Sequence, residues 1–312
     1  MLTIPEEVRL GTSSWAYEGW QGQVYKRRYP KSRFTKDSLA EYAAYEYQGL
    51  RIFRTAGIDH TFYRPPTSTQ LAHYAAQLPE GFRICSKVWE EITIPVYARL
   101  PRYGSKGGTT NPRFLDASIC DELVLRPSME GLAEFTGPFI FEFQRSGLPP
   151  EEFLAKLDGF LPRLPSGPQY AVEIRNPALL GPRYHDLLSA HGVSHVYNHW
   201  STMPPLAAQH ATLAHRFTAA FVVVRLLTPL GMSYADALKR AAPYTKLVES
   251  LPRMRTETVE LIRQAVGEQR SIYVLANNRA EGNAPLTVQA LVDLLRSTDA
   301  LPPTSALRRQ AR

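Results

Sequence analysis

Cysteine is nearly absent: the chain holds two, Cys85 and Cys120, in 312 residues. Their spacing fits neither a zinc site nor a disulfide framework, so both read as reduced thiols serving as small core hydrophobes. Long apolar runs are missing too. The longest surrounds "AAFVVVRLL", well short of the roughly 20 residues a spanning helix needs. The first ten residues, "MLTIPEEVRL", have no basic stretch leading into an apolar one, so no secretory signal is expected. These absences point to a cytoplasmic protein with no membrane partner. Nucleotide-binding signatures are also lacking. "GTSSWAYEGW" does not contain G-x-G-x-x-G, and no G-K-[ST] closes the glycines of "YGSKGGTTN". No H-E-x-x-H or nucleophile elbow occurs. His195 and His199 share a strand face in "HVYNHW", but a metal site needs a third ligand, so the pair is expected to be hydrogen-bonded and to hold no metal. The sequence names no cofactor.

What is present is ordinary globular composition, 44% hydrophobic and 21% charged, with a formal net charge of +7. That excess favours anionic partners, either phosphorylated small molecules or nucleic acid. Much of it lies in "KRRYPKSRFTK" and "LRRQAR", where solvated surface is the plainer reading. Tyr25 just before the first of these and Tyr29 within it are the candidates for stacking on bases.

Short apolar runs alternate with amphipathic stretches along the chain. Eight candidate strands emerge: "VRLGTSSW", "LRIFRTAGIDHTFY", "FRICSKVW", "FIFEFQ", "YAVEIRN", "VSHVYN", "FVVVRLL" and "IYVLANN". Helices are expected between them, including residues 37–48, residues 67–78 capped by Thr67 or Ser68, and residues 114–135 interrupted near Pro127. Strands apolar on both faces and separated by helices imply a parallel sheet covered on its outside. Eight such units in about 250 residues predict a closed, parallel eight-stranded (β/α)8 barrel. It should occupy residues 1–298, leaving 299–312 as a frayed tail. The long segment 94–113, after the third strand, resembles a lid over the strand ends.

Several strands begin apolar and end polar. Lys87, Glu142, Gln144, Glu173, Arg175, Asn198, Arg225, Asn277 and Asn278 all lie late in their runs. Side chains alternate across a strand, so Glu142 and Gln144 share one face, as do Glu173 and Arg175. If those faces are the barrel interior, they converge at the C-terminal mouth, where barrel enzymes keep their chemistry. Of the adjacent asparagines one can point inward; the other is expected to tie down the next loop. A buried ionic network with no function is the competing reading.

The pieces "GTSSW…W…YP", "TFYRPP", "AVEIR", "VVVRL" and "NNRAEGNA", in this order, resemble the YecE-like family, domain of unknown function 72. The resemblance covers nearly the whole chain. It implies a single barrel and no reaction. It marks Trp15, Thr61, Tyr63, Lys87, Glu173, Arg175, Arg225, Asn277 and Asn278 as matching motif positions. The chain departs from the family where Gly57 replaces a usual glutamate and where Ile94, Asn176, Leu227 and Arg279 replace usual histidines. Glu142 stands for a glutamine, and Asn198 lies near a usual aspartate.

The resulting expectation is a pocket for a small anionic or phosphorylated ligand. Lys87, Arg175 and Arg225 would bind the anion. Glu173 or Glu142 would serve as general acid or base. Asn198, Asn277, Asn278, Tyr63 and Trp15 would line or orient. A nucleic-acid-binding protein or nuclease and a non-catalytic ligand-binding barrel are the two alternatives.

Overall fold

The computed structural model describes residues 4–297. Eight parallel strands close a barrel: β1 (Val8–Thr12), β2 (Thr55–Ile58), β3 (Arg83–Lys87), β4 (Thr136–Phe143), β5 (Tyr170–Ile174), β6 (Ser194–His199), β7 (Phe221–Leu226) and β8 (Ser271–Ala276). Neighbours in sequence are neighbours in the ring, and β8 closes onto β1 with Leu10 opposite Val274. The expected (β/α)8 barrel is therefore the fold. Among the described residues no helix is long and apolar enough to cross a membrane. The tail expected at 299–312 lies outside the described residues.

Strand alternation sorts the core into two layers. In β4, Phe141 and Phe143 point outward and meet Phe160 and Phe153 edge-on across the helix Pro150–Phe160. Ile140, between the outward-facing Phe139 and Phe141, joins Cys85, Ala171, Val196, Val223 and Leu275 in a separate cluster inside the barrel. Cys85 and Cys120 are both buried, and burial pushes the Cys85 thiol up to about 12, which keeps it protonated and inert. At the β1–β2 seam the backbones come very close. A Cβ added at Gly11 would stand 1.9 Å from the Thr55 carbonyl oxygen, so only glycine fits there.

Two helical expectations need correction. The helix predicted over 37–48 ends at Ala43, and Glu46–Tyr47 pairs antiparallel with Leu50–Arg51. Gln48 and Gly49 between them both take positive φ, the geometry of a tight hairpin turn. The helical spacing of the apolar residues is real; the local turn overrides it. The interruption at Pro127 is not a break. A π turn at Asp121–Leu125 joins Ala117–Cys120 to Arg126–Leu132, and this wider turn accommodates a proline that donates no hydrogen bond. Thr67 does cap the helix Ser68–Ala75, accepting from Gln70 N at 3.2 Å.

Candidate anion-binding site at the barrel mouth

In four of the strands the inward position that is apolar low in the strand becomes charged one alternation later. Ile140 is followed by Glu142, Ala171 by Glu173 and then Arg175, Val223 by Arg225, and Cys85 by Lys87. Closure brings these side chains together at the C-terminal end. Glu142 is the hub. Its Oε2 lies 2.8 Å from Lys87 Nζ, 2.9 Å from Arg175 Nη2 and 3.2 Å from Arg225 Nη1. Glu173 Oε2 lies 2.5 Å from Arg225 Nη1, and its Oε1 is at ion-pair distance, 2.5 Å, from Arg175 Nη2. Asp59, just past β2, holds Arg225 Nη2 at 3.0 Å.

Burial alone would push the Glu142 carboxyl up; Arg175, Lys87 and Arg225 outweigh it and hold Glu142 well below the usual carboxylate range. Burial likewise works against the Arg225 charge, and Glu173, Asp59 and Glu142 more than compensate for it, so Arg225 stays firmly charged. Three cations thus interleave with three carboxylates. Glu142, held in its charged form, cannot act as a proton donor near neutral pH. Glu173 has no exposed surface and lies behind the cavity wall, whereas Glu142 is part of it.

Above this network is a cavity of about 910 Å³. Lys87, Arg102, Arg145, Arg175, Arg225 and Arg279 reach its wall, against the carboxylates Asp59, Glu90 and Glu142. Among the arginines of the wall, Arg102, Arg175 and Arg225 pair with carboxylates, and the positive excess comes largely from Arg145 and Arg279. Arg279 stacks on Tyr234 at 4.6 Å, and its Nε has no hydrogen-bond partner. Arg175 is 4% exposed and stacks on Trp200 at 3.9 Å. Its Nη2 serves the carboxylates, while its Nε and Nη1 have no hydrogen-bond partner.

The segment 94–113 supplies residues that form one wall of the cavity. Val96 and Thr110 bridge its two arms, and buried Asn111 donates to the carbonyls of Glu91 and Ile94 at 2.7 Å each. Arg102 and Tyr103 both reach Glu90 Oε2, at 3.0 and 2.7 Å. Burial raises the Glu90 carboxyl above its usual value, although Tyr103 and Arg102 pull the other way. Tyr63 is 59% exposed at the rim, with Arg102 5.4 Å from its ring centre.

Four expected site residues are elsewhere. Trp15 is 1% exposed, packs edge-on against Tyr74 and donates Nε1 to the Thr35 carbonyl, so it belongs to the outer core. Asn198 is inside the barrel, level with Arg225, but does not line the cavity, and its Nδ2 donates to the carbonyls of Ile174 and Val196. Asn277 caps the short helix Asn278–Glu281 by accepting from Arg279 N. Asn278 accepts from Trp20 Nε1 at 3.1 Å and Ala284 N at 2.8 Å, which ties down the last loop as one of the pair was expected to do. The exposed stacking rings needed for nucleic acid are also missing from the N-terminal basic stretch. Tyr25 is fully buried, and Tyr29 is half-buried with its hydroxyl donating to Glu41.

His195 and His199 are hydrogen-bonded, to Tyr184 and Gln209 in the first case and to the Thr228 carbonyl in the second. Among the described residues no cluster of three or more His, Cys, Asp or Glu could hold a metal ion.

Asp59, Glu90, Trp200 and Tyr234 were not picked out from the sequence. Asp59 was findable, because it follows Gly57 on the same inward face of β2. A Cβ at Gly57 would stand 2.7 Å from the Ser13 carbonyl oxygen, so no side chain fits there and the acid of this strand comes from Asp59. Trp200 lies in a loop past β6, and Glu90 and Tyr234 open helices past β3 and β7, where no strand period marks them.

Residues 9–311 match the family described as "Protein of unknown function DUF72". No curated protein matches the chain. Its fold is similar to a crystal structure of a DUF72 family protein from Enterococcus faecalis V583, with 19% identity, 95% of this chain and 98% of that chain covered, and a TM-score of 0.64. It is also similar to a DUF72 family protein from Thermotoga maritima MSB8, with 16% identity, coverage of 93% and 99%, and a TM-score of 0.57. Identities this low speak for the shared barrel alone.

Proposed function

The chain belongs to the DUF72 family, and from that premise we propose that the barrel mouth binds a small ligand bearing a phosphate group. The observation that carries this reading is Arg175. It is a buried arginine at a cavity wall with two donor atoms, Nε and Nη1, lacking any partner. A buried unsatisfied donor is costly, and a phosphate oxygen would relieve that cost with a charge-assisted bond. The excess of cations over acids in the wall suits a dianion. The paired carboxylates below would keep the arginines oriented.

As an enzyme, the barrel would exchange a proton through Glu90 and not through Glu142 or Glu173. Glu90 reaches the cavity with a raised pKa, whereas Glu142 is locked in its charged form. The test is calorimetric titration with inorganic phosphate at two salt concentrations. Saturable binding that weakens with salt supports the reading. Absence of binding at millimolar phosphate removes it.

A further inference from the structure

The cavity mouth alternates cations with aromatic rings on two sides. On one side Arg102 lies 5.4 Å from the Tyr63 ring centre. On the other, Arg175 lies 3.9 Å from Trp200, the Trp200 and Tyr234 rings are 6.4 Å apart, and Arg279 lies 4.6 Å from Tyr234. Tyr63 follows β2, Trp200 follows β6 and Tyr234 follows β7. In a ring of eight sequential strands β2 stands opposite β6, so the two aromatic sides face each other across the opening.

The rings nearest solvent are left uncovered: Tyr63 is 59% and Tyr234 49% exposed. Val96 and Leu100 on the same rim are also exposed. Large apolar surfaces gathered around one cavity mark a place where something apolar is bound. A sugar or other polyol would ask this rim for hydroxyl and amide partners. The most exposed rim residues offer ring faces and aliphatic side chains, and Thr93, Gln144 and Ser146 are the few aliphatic hydroxyl and amide groups in the lining.

We propose that the ligand is a phosphate ester of an aromatic group. The phosphate sits on the unpartnered donors of Arg175 and Arg279, and the aromatic ring stacks at the rim against Tyr63 and Tyr234. This rests on the phosphate-binding reading above and adds the nature of the ligand's other half. The rim tyrosines already carry guanidinium groups against them, so a ligand ring meeting the tyrosines offset or edge-on would leave its phosphate beside those cations.

The experiment compares inorganic phosphate, methyl phosphate and phenyl phosphate by calorimetry on the full chain. Methyl and phenyl phosphate differ only in the ring, so the ratio of their affinities reads the aromatic contact. Phenyl phosphate is expected to bind about tenfold more tightly than methyl phosphate, the scale of one stacking contact. The double variant Tyr63→Leu with Tyr234→Leu should bring that ratio close to one. The ratio is insensitive to any general loss of phosphate affinity caused by disturbing Arg102 or Arg279. Equal binding of the two esters by the unaltered protein overturns the aromatic inference and leaves phosphate binding standing. An unchanged ratio in the double variant overturns the placement of the ring. Failure of all three probes to bind removes the phosphate reading and this inference together.

Discussion

Arg225 Nη1 lies 2.5 Å from Glu173 Oε2, and both side chains are almost wholly shut off from solvent. Charges in such a position are stabilising only as a set. Arg225 answers three carboxylates at once, and each cation around Glu142 offsets part of a desolvation cost that none could meet alone.

Glu173→Gln should therefore act first on stability. It leaves Arg225 and Arg175 short of a counter-charge in a buried setting, at a cost of roughly 3–5 kcal/mol. Urea denaturation would measure this. The double variant Glu173→Gln with Arg225→Met should be less destabilised than the sum of the two single variants. Strict additivity would contradict the coupling.

Acid should weaken the fold in two stages. Burial lowers the His195 pKa from 6.5 to about 3. The unfolded imidazole gains its proton first, so this contribution is whole above about pH 6.5 and is lost as pH falls toward 3. Buried His60, His199 and His210 shift in the same direction. Glu142 has a folded value well below 4.5, so its contribution is present above that pH and is lost on further acidification. Between pH 6.5 and 5, His195→Gln should flatten the dependence of stability on pH by up to about 1.4 kcal/mol per unit. An unaltered slope would show that His195 is protonated in the folded protein.

Arg279→Gln should separate binding from folding. The side chain stacks on Tyr234 with no acidic partner among the described residues, so its loss leaves no buried carboxylate behind. Stability is expected to change by no more than about 0.5 kcal/mol. Phosphate affinity should fall by about tenfold, the scale of one charge-assisted hydrogen bond. Unchanged affinity would place the anion elsewhere.

Gly57→Ala should cost about 1–3 kcal/mol, because the new methyl would press on the Ser13 carbonyl 2.7 Å away. Gly159→Ala makes the control. That helical position has open space around its Cβ, and the change should stabilise by about 0.5–1 kcal/mol. Equal effects of the two substitutions, read from denaturation midpoints, would argue against the tight β1–β2 seam.

The sequence by itself determined the strands and the polar ring. A buried parallel strand must be apolar on both faces, and its period of two fixes which side chains share a face. Glu142, Glu173, Arg175, Arg225 and Lys87 could thus be assigned to one rim before any coordinates. Amides were a different matter. Asn277 and Asn278 stand at the same strand end, yet one caps a helix and the other braces Trp20, because a capping amide and a ligand-binding amide use the same donors and acceptors. The structure alone decided which charges cancel. Whether Arg175 keeps free donors, whether Asp59 reaches Arg225, and whether Tyr63 faces Trp200 and Tyr234 all depend on how loops far apart in sequence settle over the rim. Loop conformation follows from local turn chemistry and long-range packing and leaves no periodic trace in the chain.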